Sequence, residues 1–144
     1  MTSDELQALI EGDPEAKAFA DAGNDTACAA RCSAIAPKVV GGERLVNKLS
    51  IIGAFADPAA GYAAIAKLEA AAGSNPVLAL ALEFMGPTAP RGVDVAHAST
   101  RAMLDALGAS NVLTSDEVAT IKSMGEVAQS VSANDVAAAL RGGN

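Results

Sequence analysis

Hydrophobic positions along this chain recur mostly at three- and four-residue spacing, and proline, glycine and capping residues interrupt them often. That pattern predicts a series of short amphipathic helices. Ser3 can cap a first helix that runs through Ile10. In "DPEAKAFADAG", Asp13 stands at the N-cap, Pro14 at the first helical position and Gly23 at the C-terminal stop. Asn24 can cap "DTACAARCSAIA", which Pro37 ends, and "PKVVGG" reads as a linker or a short extended piece. From Glu43 to Phe55, Leu45, Leu49 and Ile52 recur at helical spacing, flanked by Val46 and Phe55. Asp57-Pro58 opens a further helix whose apolar side carries Tyr62, Ile65 and Leu68, and Gly73 closes it.

Asn75-Pro76 gives the same start signal again, but the stretch behind it is ambiguous. In "VLALALEFM", Leu78, Leu80 and Leu82 alternate with alanines, so period two competes with period 3.6. The Asn-Pro start and the alanines favour a helix. Apolar nearly all round, it is expected to be the central buried element. "GPTAPRG" (86–92) is the most obvious loop and the best place for a flexible excursion. Three more helices are expected, around 98–107, 115–125 and 133–141. Two of them open alike. Thr114 to Glu117 forms a capping box with Leu113 and Val118 as a hydrophobic staple, and Ser132 to Asp135 repeats the device with Val131 and Val136. The expected fold is all-α: a single domain over 1–144, a bundle of about seven or eight short helices. Residues 1–42 would form acidic N-terminal helices and a linker, and 43–144 the main core.

Composition refines this picture. At 144 residues and 51% hydrophobic, the chain can bury a core. Alanine, the best helix former, makes up roughly a quarter of it. Aromatic residues are only 3% and tryptophan is absent, so each core residue buries less area, at about 25 cal/mol per Å². Modest stability, helped by self-association or a partner, is the expectation. The net charge of −7 argues against direct binding of a nucleic-acid backbone. The charge is uneven. Residues 1–25 carry seven acids against Lys17, while Arg31, Lys38, Arg44 and Lys48 face Glu43 alone across 31–48. The acidic N-terminus lacks the pattern of a signal peptide, and "PVLALALEFMG" falls short of the ~20 residues that span a bilayer. A soluble chain made in a cytoplasm, without membrane contact, is expected.

Candidate chemistry is sparse. "CAARC" places Cys28 and Cys32 one helical turn apart, where a disulfide would strain the helix. Two reduced thiols packed as small apolar groups are expected instead. "DVAHASTR" gathers Asp94, His97, Ser99, Thr100 and Arg101, but nothing like a nucleophile elbow surrounds Ser99. His97 is expected to hydrogen-bond near a helix start, and Arg101 to pair with Asp105 at i+4. "VVGGER" lacks the lysine and hydroxyl of a phosphate loop, and "LTSDEVATIK" lacks the calcium loop that would follow in an EF-hand. No catalytic, cofactor-binding or metal residue is nominated, and the chain is not expected to be an enzyme.

The segment "GVDVAHASTRAMLDALGASNVLTSDEVATIKSMGE" (92–126) resembles a pattern in small Ala-rich helical proteins of tailed bacteriophages. The matching positions are Gly92, Asp94, His97, Thr100, Arg101, Leu104 to Leu107, Val112 to Thr114 and Glu117. "AAGYAAIAKLEAAAGSNPVLALALEFM" fits the same pattern more loosely, and the terminal "VSANDVAAAL" follows it. The first 50 residues and "CAARC" lie outside the resemblance. It implies a place more than a chemistry: a virion component in the tail, neck or capsid shell, assembled in the host cytoplasm. Its partners would be other virion proteins and further copies of itself. On that reading the acidic N-terminus and the 31–48 cations meet across subunits. The rival expectation from composition is a cytosolic acidic binding module or an inhibitor of a host protein.

Overall fold

Each predicted cap leaves the backbone committed to helix over a short span, and the computed structural model, which describes residues 1–86 and 91–142, shows those spans packing as two separate units. The class is all-α, as expected. The helices are α1 (Ser3–Gly12), α2 (Pro14–Asp21), α3 (Asp25–Ile35), α4 (Lys48–Ala54), α5 (Pro58–Ala72), α6 (Pro76–Phe84), α7 (Ala98–Ala109), α8 (Ser115–Ser123) and α9 (Ala133–Arg141). Four two-residue strands accompany them: β1 (Val39–Val40), β2 (Leu45–Val46), β3 (Val93–Asp94) and β4 (Glu126–Val127). Nine helices among the described residues slightly exceed the seven or eight expected. Extended Asp13 separates α1 from α2, as its N-cap position predicts.

One unit is Met1–Val39 with Val127–Asn144; the other is Val40–Glu126. α9, expected within the main core over 43–144, packs in the first of these units. The buried face of α9, Val136 and Ala139, packs with Leu6, Ile10, Cys28 and Cys32 in the first unit. Apolar patterning predicted that α9 has a buried face but carries no information on which partner covers it. Within this unit Arg31 reaches Asp13 at 2.8 Å and Glu15 at 3.1 Å, and Arg141 reaches Asp25 at 2.8 Å. The Ser33 hydroxyl accepts the Val131 N–H at 2.9 Å.

The second unit has its own core, built around Ile51, Ile65, Leu68, Leu78, Leu104 and Ile121 with their neighbours. Gly61 lets α5 lie against α4: a Cβ there would stand 2.7 Å from the Ile52 backbone. β2 and β3 pair antiparallel, Leu45 opposite Asp94 and Val46 opposite Val93. Gly92 enters β3 with φ +73° and leaves no room for a Cβ beside the Val46 carbonyl, 2.7 Å away. The turn between α7 and α8 places Asn111 at φ 58°, a left-handed position that asparagine tolerates.

Local punctuation is where sequence and structure agree most closely. Asp13, Asn24, Asp57, Asn75, Thr114 and Ser132 all occupy N-caps with their side chains accepting backbone N–H groups. The Thr114 and Ser132 capping boxes both close, and both staple pairs are buried. Two starts are corrected. Thr2, not Ser3, caps α1, with Glu5 completing its box. The helix expected from Glu43 begins only at Lys48, because Asn47 caps it and Leu45 and Val46 are held in the ladder with β3. The expected loop at 86–92 lies mostly outside the described residues, which omit 87–90.

Candidate functional site

The helix expected to be the buried centre of the molecule is buried on one side only. With about 100° between successive residues, leucines at every second position point to opposite sides of a helix. Leu78 and Leu82, four apart, enter the core, while Leu80 is 54% exposed against 2% for Leu78. Val77, Leu80 and Phe84 fall at i, i+3 and i+7, so they form one stripe on the outward side, and all three are exposed. The period-two reading and the helix are thus both present in the same residues. Alternation in a helix makes two apolar faces, and here only one is covered.

Other apolar side chains extend this stripe. Leu45 in β2 joins Val77, Leu80 and Phe84 around a shallow depression of about 720 Å³. Phe84 also borders a second depression of about 450 Å³, with Leu49 and Tyr62 on its far side. Leu49 is 78% and Tyr62 70% exposed. Leu45, Leu49, Tyr62 and Leu80 are the positions whose periodicity predicted core. Leu49 and Tyr62 lie outside because Ile51, Ile65 and Leu68 fill the inward faces of α4 and α5, and Leu80 because Leu78 and Leu82 fill that of α6. Charged residues border the face, with Glu43 and Arg91 beside the first depression and a Lys48–Glu69 pair of 2.7 Å beside the second.

The residues with candidate chemistry are held in structural roles. His97 is the N-cap of α7, its Nδ1 accepting the Ser99 N–H at 3.3 Å. Asp94 Oδ1 accepts the N–H groups of Arg44 at 2.8 Å and Ala96 at 2.9 Å, bonds that hold its carboxyl below the usual range. Asp94 and His97 therefore turn to the backbone, and among the described residues no hydrogen bond joins the Ser99 hydroxyl to a basic side chain. Arg101 does not pair with Asp105. It donates to Glu126 at 2.7 Å and to the Lys122 carbonyl at 3.0 Å, while Lys122 takes Asp105 at 2.8 Å. The cleft of about 580 Å³ between these side chains is lined by charges already bonded to one another.

Cys28 and Cys32 are free thiols in the core of the first unit. Burial pushes both up, Cys32 to about 11, so neither is a ready nucleophile at neutral pH. Among the described residues no group of three or more His, Cys, Asp or Glu side chains is placed to hold a metal ion. No helix among them is long and apolar enough to cross a membrane.

Residues 92–126 also fold as scaffold. Gly92 makes the tight entry to β3, His97 and Thr114 cap helices, and Leu104, Leu107 and Leu113 are core. Glu117 closes the Thr114 box and binds Lys67 of α5 at 2.7 Å. Comparison with protein-family models, curated proteins and solved structures gave no match to the chain.

Proposed function

We propose that the chain is a non-enzymatic structural or accessory component of a tailed-bacteriophage virion, in its tail, neck or capsid shell, acting through protein–protein contacts. The observation that carries the contact part is the apolar face of Val77, Leu80, Phe84, Leu45, Leu49 and Tyr62. An exposed apolar patch at the upper end of what monomers carry is often functional. The virion part rests on the resemblance of 92–126 to small Ala-rich phage proteins. Its partners on this reading are other virion proteins and further copies of itself. Mass spectrometry of purified particles, from the phage that carries the gene, is the test. The protein is expected in many copies per particle; its absence from intact particles overturns the virion reading.

The rival reading, an acidic module that engages a basic host protein, needs free carboxylates at the N-terminus. Several of these are engaged within the chain. Asp13 and Glu15 hold Arg31, Asp21 holds Lys17, Asp25 holds Arg141, and Glu5 caps α1. The pairing of Arg31 with Asp13 and Glu15 also removes one cation from any contact between acidic N-terminus and basic stretch across subunits.

A further inference from the structure

From its area and the charges at its border, we infer that the apolar face of α6 is the interface of a two-fold symmetric dimer of this chain. The inference rests on the functional reading only for the claim that this face is a contact surface. Its geometry is independent of where the protein resides.

Area comes first. The exposed fractions of Val77, Leu80, Phe84, Leu45, Leu49 and Tyr62 together equal about three and a half whole side chains. At about 150–200 Å² for a large apolar side chain, that is on the order of 600 Å². A standard interface takes about 800 Å² from each partner, and about 65% of it is apolar when like chains meet. The face therefore supplies about the apolar area that one half of a dimer needs. Tyr62 and Phe84 are the aromatic anchors such interfaces use. They are two of only four Phe and Tyr residues in the chain, so half of a scarce resource lies on this face.

Charge selects the occupant. Two copies carrying −7 each repel, and association has to occur where that field is locally cancelled. The border of the face carries Glu43 and Glu69 against Lys48 and Arg91, with exposed Glu83 on α6 beside them, so acids and bases come close to balance. Acid and base occur together beside each depression, Glu43 with Arg91 and Lys48 with Glu69. An isologous contact presents the same patch from both sides, so a border of mixed sign can meet its own rotated copy with opposite charges adjacent. A strongly charged partner of either sign would find only half of this border complementary.

Sedimentation equilibrium on the full chain tests the inference. The wild type is expected to reach about twice its 14.3 kDa mass in a concentration-dependent way. Leu80→Asp and, independently, Tyr62→Asp should weaken the dimer at least ~10-fold, since each buries a charge in an apolar contact. Both positions are exposed, so helical circular dichroism should stay unchanged in each variant. Ala30→Asp, on the exposed side of α3 in the other unit, should leave the association as it is. A wild type that stays monomeric up to roughly 1 mM overturns the dimer and leaves the face to a different partner. A dimer that survives both the Leu80 and the Tyr62 substitution, with folding intact, overturns its location. Neither result bears on whether the protein is found in virions, so the two readings fail separately.

Discussion

Both units of this chain pair their charges locally, yet they differ in how much helical apolar surface they leave exposed. In the Met1–Val39/Val127–Asn144 unit, charge is engaged locally: Asp13, Glu15 and Asp25 hold Arg31 and Arg141, and four helix starts are capped. In the Val40–Glu126 unit, α6 is capped equally well yet leaves one of two apolar faces in solvent. Secondary structure is equally well specified in both. What differs is whether the apolar surface that the helices create is used up within the unit. Covering both faces of a nine-residue apolar helix takes neighbours on two sides, and the second unit supplies them on one.

The largest effect that sharpens this comparison separates two leucines on one helix. Leu78→Ala removes a buried side chain and should cost about 2–5 kcal/mol. Leu80→Ala, on the outward face, should cost less than ~1 kcal/mol when measured on dilute protein. Urea denaturation of the pair checks the order, and equal losses would mean that both faces are core.

Next comes Gly61, whose missing Cβ brings α5 against α4. Gly61→Ala should destabilise by about 1–3 kcal/mol through overpacking, despite the roughly 1 kcal/mol that alanine gains as the better helix former. Thermal melting would show this directly. A stabilised variant would show that α4 can shift away at little cost.

Thr114→Ala tests a device shared by both units, the capping box. Loss of the bond to the Glu117 N–H should cost about 1 kcal/mol, visible as a small shift in the denaturation midpoint. Ser132→Ala in the other unit should behave alike, because cap energetics are local. A large difference between them would break the equivalence of local structure on which the comparison rests.

The smallest expected effect is the acid response of the first unit. The Arg31 guanidinium, with the Ala16 N–H, holds the Asp13 carboxyl down to about 2, against about 3.9 in an unfolded chain. A depressed folded value stabilises above the unfolded pKa. Its contribution is complete above about pH 4 and is lost as pH falls through about 2. Carboxyl NMR titration should place the Asp13 midpoint well below that of a free aspartate, and Arg31→Ala should raise it. An unchanged midpoint would show that the backbone bonds alone hold it.

Helix starts and stops were legible because a cap is a contact between residues two or three positions apart. Asp13, Asn75 and Thr114 bond to groups that the sequence places beside them. The spacing of Leu45 and Val46 predicts helix, whereas their strand partners, Asp94 and Val93, lie almost fifty residues away in the chain. The same holds for α9, since nothing within it specifies α1 and α3 as its neighbours. The contact face was hidden twice over. Exposed and buried leucines look identical in sequence, and strong apolar character argues for burial. The available signal was the conflict of periods in "VLALALEFM": a helix whose leucines alternate must turn some of them away from any single core.

The central claim is that the outward face of α6 serves contact with another molecule and not the stability of its own unit. Equilibrium denaturation of Leu80→Asp on dilute protein tests it most directly, because a charge is tolerated on a solvent-facing surface and not in a core. We predict a cooperative unfolding transition within about 1 kcal/mol of wild type. A loss of several kcal/mol, or a chain that no longer folds, would contradict the account.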